Sequence, residues 1–448
     1  MESSKIVSVG IFFDGTGNNG INATSTQKPA KNNGSYYSST TNIYKLFGLF
    51  AGNQKMYVEG IGTLTGGEDS NVAMATCKNP PRYKGYSSDD KLNKAFAFTE
   101  KIMQDQTAEY HFYVYGFSRG AMLARNFCYE LLKSGSAIKG NKKVKFLGVF
   151  DTVESTPFND YNVSLLPEVE NAIHLCAINE CRYFFPLTGF FEDSASMKDT
   201  RSDIGNSVWK EVFIPGAHAD VGGGYLEGSQ SVYVSANYIR KEDAKAYVNT
   251  VKHTKKDAFG NKIWESLLVD YKIDEGVAFS QAYVTRDKVY NDLSKIYGKL
   301  MLKETNAVTA VFNTQFDASN FEIDYKKHPF LEKFGDQLEK YVQELLPDLR
   351  PPYNYWDFTD YTHISANFGL HKTSLLQKSE TNIDVELINN SLNVPGNPIV
   401  DIPEGAIPNT SRGTQQKGSP GADYVYGSNI PNNDIWSRSI LVKASLEL

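Results

Sequence analysis

Residues 111–125, HFYVYGFSRGAMLAR, restrict the fold more than any other part of the chain. The aromatic and β-branched run 111–115 predicts a buried strand, and from Ala121 onward the spacing is helical. Between them stands Gly116-Phe117-Ser118-Arg119-Gly120, the G-x-S-x-G of a nucleophile elbow. The two glycines leave room for backbone and helix to pass closely, so Ser118 is expected in a strained turn, aimed at a substrate. The helix start behind it offers free N–H groups and positive partial charge. The Arg119 N–H is therefore a candidate donor to the oxyanion formed when Ser118 attacks a carbonyl. The pentapeptide alone arises by chance in roughly one sequence in seven of this length. The strand before it and the helix after it are what make it an elbow.

Three further predicted strands end in polar groups. The run 5–13 ends in Asp14-Gly15-Thr16-Gly17-Asn18-Asn19, a loop rich in backbone donors. The N–H of Gly15 or Thr16 is the candidate second oxyanion donor, with Asp14 and Phe117 as candidate substrate-binding residues. A first strand followed by Asp-Gly-Thr also suits haloacid-dehalogenase phosphatases, but Phe12 stands at their nucleophile position, and that chemistry fails. The strand 143–150 leads into Asp151, the candidate acid. The run 209–214 leads into PGAHADVGGGY, where His218 is the candidate base. Ligands of an open α/β sheet bind outside the carboxyl ends of its strands, so Asp14, Ser118, Asp151 and His218 are expected along one edge. The order Ser, Asp, His is that of α/β-hydrolases, unlike the chymotrypsin or subtilisin orders. Of seven histidines, His174 and His363 remain rival bases.

The fold class expected is α/β: an α/β-hydrolase-like, doubly wound, mostly parallel sheet with a helical insertion and an irregular C-terminal region. Residues 1–230 read as the catalytic core, 231–350 as a mainly helical insertion or cap, and 351–375 as a return segment. Residues 376–448 read as an irregular or β region. The stretch 331–346 is amphipathic and is expected as a core helix, with membrane-surface docking as the alternative. The aromatic loop 183–191 suits either packing or an acyl-chain pocket. A net charge of −6 and a pI near 5.8 give no basic footprint, which argues against a nucleic-acid partner and a polybasic membrane anchor. Four cysteines without paired spacing read as reduced and structural, and no cluster has convincing metal-ligand spacing, so neither metal nor cofactor is expected. The first residues lack a signal-peptide pattern, and no run reaches the roughly 18 apolar residues of a membrane span. Synthesis in the cytoplasm is expected, with export by a dedicated machine.

Taken together, FFDGTGNN (12–19), EGIGT (59–63), YGFSRGAMLAR (115–125), GVFDTV (148–153), HLCAINECR (174–182) and PGAHADVGGGY (215–225) resemble the first family of type VI secretion lipase effectors. The segment around His363 resembles that family's closing His-x-Ser motif. The resemblance covers roughly the first half of the chain. It implies an α/β-hydrolase that cleaves acyl esters of phospholipids, with Ser118 as nucleophile, Asp151 as acid and His218 as base. It also implies antibacterial delivery by the type VI system, a spike or tube component as carrier, a cognate immunity protein, and action at the target-cell membrane or periplasm. Asn179 and Cys181 stand where the family usually has an acidic and a basic residue, which implies that a salt link is missing there. The alternatives are a soluble carboxylesterase of small esters and a non-catalytic binding module on the same fold.

Overall fold

The computed structural model describes residues 5–29, 33–156, 160–256, 260–275, 280–368, 429–432 and 436–441. Seven strands form the main sheet: β1 (Ile6–Phe13), β2 (Gln54–Val58), β3 (Glu109–Phe117), β4 (Asn141–Phe150), β5 (Asn171–Ala177), β6 (Thr200–Ile204) and β7 (Ser207–Ile214). Their order is β2-β1-β3-β4-β5-β7-β6, and every neighbouring pair is parallel except β6 with β7. Such strands are covered on both faces, which is why they read as near-continuous apolar runs. Alternate residues serve two separate cores. Phe12, Tyr113 and Tyr115 face the helices Asn42–Leu49, Asp292–Val308 and Pro329–Glu344. Ile11, Phe13, Phe112 and Val114 face the helices Ser88–Ile102 and Arg119–Leu132. The fold is thus the mostly parallel, doubly wound α/β architecture expected from the sequence.

From β1 the chain runs out to β2 and then returns across β1 to β3, so the winding reverses between β1 and β3. A doubly wound sheet opens its ligand crevice at this reversal, beyond the carboxyl ends of the strands. The loop after β1 and the Ser118 turn after β3 are the two sides of that crevice.

Beyond the main sheet, the stretch 231–350 carries the helices Lys241–Thr254, Ile263–Leu267, Asp292–Val308 and Pro329–Glu344, and also strands that the sequence reading left out: β8 (Gly228–Tyr233), β9 (Lys272–Glu275) and β10 (Ser280–Val289) form an antiparallel sheet in the order β8-β10-β9. Short runs such as SQAYVTRDKV alternate too briefly for periodicity to separate strand from helix. The helix Asp292–Val308 lies directly on the main sheet, and a Cβ on Gly148 would come within 2.4 Å of Met301 Sδ. The amphipathic helix Pro329–Glu344 spends its apolar face, Leu331, Phe334, Leu338 and Val342, in the core. No helix among the described residues is long and apolar enough to cross a membrane. Most of 376–448, expected as an irregular or β region, lies outside the described residues.

The end of the chain returns to the carboxyl edge. The Tyr183 and Leu187 N–H groups donate to Ile430 O and Ser439 O, while the N–H groups of Asn432 and Leu441 donate to Cys181 O and Leu187 O. Trp436 is buried beside Trp264, ring centroids 5.1 Å apart, and its carbonyl accepts from the Trp264 indole at 3.0 Å.

Candidate active site

Ser118 sits at φ 58°, ψ −131°, between the end of β3 and the helix Arg119–Leu132. A non-glycine residue held there costs about 1–3 kcal/mol, so its surroundings must fix it. They do: the Ser118 N–H donates to Phe150 O at 3.1 Å, and the Ser118 carbonyl accepts from Ala121 and Val153 N–H at 3.0 and 3.3 Å. Both motif glycines are sterically required. A Cβ on Gly116 would come within 2.5 Å of Ala121 Cα, and one on Gly120 would lie 2.6 Å from Phe13 O and overlap the Asp14 carbonyl. Backbone cannot yield as a side-chain tip does. Gly120→Ala is therefore expected to push the helix off the end of β1 and cost about 1–3 kcal/mol, read as a lower Tm, with loss of esterase activity in the fraction that stays folded.

Asp151 follows β4 directly and also has positive φ, 42°. Its N–H donates to Leu175 O at 2.8 Å, which ties the turn to β5. The carboxylate is wholly buried and used on both oxygens. Oδ2 meets His218 Nδ1 at 2.5 Å, whereas Oδ1 accepts from the Ala177 N–H and from Arg438 Nη2, each at 2.9 Å. Burial pushes the carboxyl up, but Arg438 and His218 outweigh it and bring it down to about 2. His218 opens the short helix His218–Gly222, with its ring between Phe117 and Phe185 at centroid distances of 4.6 and 5.1 Å. Burial lowers its pKa against the opposing pull of Asp151, which favours the neutral ring. With the Nδ1 proton turned to Asp151, Nε2 keeps its lone pair. The arrangement can supply a general base on the same edge as Ser118.

On the oxyanion side the structure narrows the candidates. Arg119 opens its helix, so its N–H has no intrahelical acceptor, while its guanidinium reaches Cys77 Sγ and Ser155 O. The Gly15 N–H is committed to the Asp14 carboxylate at 2.8 Å, which removes it from the donor pair. The Thr16 N–H has no acceptor among the described residues, and its buried Oγ1 is likewise unpartnered. Asp14 needs the same correction as a substrate-binding residue. Its carboxylate is turned inward, accepting from Tyr57 Oη at 2.5 Å and Thr41 Oγ1 at 2.7 Å, and burial pushes it up to about 6. Phe117 is buried against the His218 ring and packs on Gly15 and Gly222, so it supports the site from within rather than facing a substrate. The EGIGT motif holds this loop in place. Gly60 N–H donates to Asn18 O, Gly17 N–H donates to Ile61 O, and a Cβ on Gly60 would collide with Gly15 O. Its Glu59 is buried between Lys91 and Lys94, at 3.0 and 2.7 Å.

Of the rival histidines, His174 is engaged at both ring nitrogens, whereas His363 forms a second His–Asp pair. His174 Nδ1 meets Glu211 at 2.8 Å, and its Nε2 accepts from the Thr152 N–H at 3.0 Å, leaving no lone pair for a serine. Cys176 lies beside this pair, and the three could converge on a cation, but the two ring nitrogens are already spent. His363 Nδ1 meets Asp220 at 2.6 Å, with Tyr225 stacked on the ring at 4.3 Å. The salt link judged missing is present one residue further along. Arg182 Nε and Nη2 both reach Glu180 at 3.0 Å, and Glu180 also accepts from the His218 N–H and from Ser365 Oγ. Burial lifts the Glu180 carboxyl, yet Arg182 brings it down to about 2. Two participants were missed in the sequence, Glu180 and Arg438. The first lay inside a motif read one position out of register, and the second had no local signal at all.

The family model described as T6SS, phospholipase effector Tle1-like, catalytic domain, matches residues 8–143 and 133–242. Among solved structures, that of the Tle1 effector bound to the VgrG spike from the type 6 secretion system aligns at 20% identity with a TM-score of 0.58. It covers 98% of this chain and 94% of that one, and supports the fold. The crystal structure of an uncharacterized protein from Pseudomonas aeruginosa aligns at 16% identity and a TM-score of 0.37, covering 76% of this chain and 51% of that one. No curated protein sequence matches the chain.

Proposed function

The chain belongs to the Tle1-like catalytic family of type VI secretion phospholipase effectors, and from that premise we propose that it cleaves a carboxylic acyl ester of membrane phospholipids through Ser118, His218 and Asp151. The observation supporting this most is the 2.5 Å bond from His218 to the buried Asp151, placed behind a strained serine at the reversal point of the sheet. His218, oriented by Asp151, takes the Ser118 proton as Oγ attacks the ester carbonyl. The Arg119 and Thr16 N–H groups receive the oxyanion. His218 returns the proton to the leaving lysolipid, and water then attacks the acyl-enzyme to release the fatty acid.

Tyr183, half exposed, with Phe184 and Phe185, forms the apolar lip over which an acyl chain reaches His218. A concavity of about 840 Å³ lined by Leu132, Asn141, Lys143 and Glu168 lies at the opposite edge, where β4 begins, and takes no part. The Tle1 effector of the solved structure is bound to a VgrG spike. We extend that to this chain: a VgrG-type spike as carrier, the target-cell periplasm or membrane as place of action, and an immunity protein as its antagonist.

The test is mass spectrometry of products from phospholipid vesicles incubated with the purified protein. Free fatty acid and one lysolipid are expected, and the position of the missing acyl chain assigns the A1 or A2 bond. Hydrolysis of a short soluble ester without any attack on vesicles would overturn the lipid assignment and leave an esterase.

A further inference from the structure

Arg438 is nine-tenths buried, and its guanidinium meets Asp151 Oδ1 across 287 positions of sequence. It is delivered by anchors on both sides. Trp436 is buried two residues before it, with its indole N–H on Tyr247 Oη at 3.2 Å, and Ile440 pairs with Leu187 two residues after it. An arginine placed only to brace backbone spends its donors on carbonyls. Arg125 does so, giving Nε, Nη1 and Nη2 to Val163, Thr188 and Gly189. Arg438 does not: Nε and Nη1 are buried without an acceptor among the described residues, an arrangement that bracing the backbone would not leave. Its polar contact is the ion pair with Asp151.

We propose that Arg438 is a positioning residue for the reaction, fixing the Asp151 carboxylate from the chain's far end so that Oδ2 stays turned to His218. The proposal rests on the reading of Ser118, His218 and Asp151 given above. Asp151 faces His218, His174 and Cys176 as well as Arg438, and Glu180 and Arg182 in turn face His218. Without Arg438, the cation that most opposes the burial of Asp151 is gone. The Asp151–His218 pair then takes up a proton at higher pH, and the carboxylate gains freedom to rotate.

The experiment compares full-length wild type, R438M, R438K and S118A on a dispersed short-chain phosphatidylglycerol across pH. R438M keeps the aliphatic bulk. It is expected to lose about 10- to 100-fold in kcat with KM little changed, as for a misplaced catalytic group, and to shift the acid limb to higher pH. R438K, keeping the charge without the planar fork, should recover part of kcat and return the limb towards wild type. A role confined to structure would lower Tm while leaving kcat per folded molecule and the acid limb in place, and that result overturns the proposal. Should R438M not fold, R438K decides: reduced kcat at wild-type Tm supports the proposal, and wild-type kcat overturns it. If S118A is inactive while the Arg438 variants match wild type, only this inference fails. If S118A retains activity, the serine reading itself fails.

Discussion

Replacing Ser118 by alanine lowers fatty-acid release by about 10³- to 10⁶-fold, the range seen when a serine hydrolase loses its nucleophile. The variant should fold, because the turn is held by backbone bonds to Phe150, Ala121 and Val153, and no side-chain hydrogen bond of Ser118 caps the helix. The loss is expected in kcat, with binding to vesicles unchanged, since alanine removes one oxygen and leaves the apolar lip intact. A residual rate within tenfold of wild type would place the nucleophile elsewhere on this edge. Wild-type melting beside the lost rate is what separates chemistry from misfolding.

Asp151→Asn should cost about 10⁴-fold in kcat, through the wrong histidine tautomer rather than displaced geometry. The direction follows from the contacts of the carboxylate. Oδ1 accepts from the Ala177 N–H and from Arg438, so an amide there must put its oxygen on that side. Its NH₂ is then forced onto His218 Nδ1, where it donates and obliges the ring to carry its proton on Nε2. A ring protonated at Nε2 has no lone pair for the serine. Rates across pH, with the tautomer read from imidazole ¹⁵N shifts, check this, and a His218 still protonated at Nδ1 in the variant would refute the tautomer argument.

Much of this site could be read from the sequence because a doubly wound sheet converts linear order into position. Residues directly after parallel strands reach one edge whatever the intervening chain does, so Ser118, Asp151 and His218 fall close together from strand ends alone. What could not be read depended on side-chain direction. Whether the Gly15 N–H faces a substrate or its neighbour Asp14 is settled by the side chains of Tyr57 and Thr41, whose direction no sequence pattern gives. The ion pair in HLCAINECR moved by one residue because β5 ends at Ala177 and the chain beyond it is irregular, so no period fixes which side chains point inward. Arg438 was invisible for a third reason. Its segment, PNNDIWSRSIL, carries no strand or helix period, and tertiary contacts with residues 181–188, Tyr247 and Trp264 give it a place.

The amide bonds around the serine have a consequence for how the protein fails. Ser118 N–H ends on β4 and Asp151 N–H ends on β5, so neither turn can open while the central strands remain paired. Local opening free energies range from near zero in loops to the full global value in core strands, and these two turns take the value of the strands that hold them. The strained serine is therefore not a weak point of the molecule. Amide exchange at Ser118 and Asp151 is expected to be as slow as in the strands that hold them, with the elbow keeping its unfavourable backbone geometry as long as those strands stay paired.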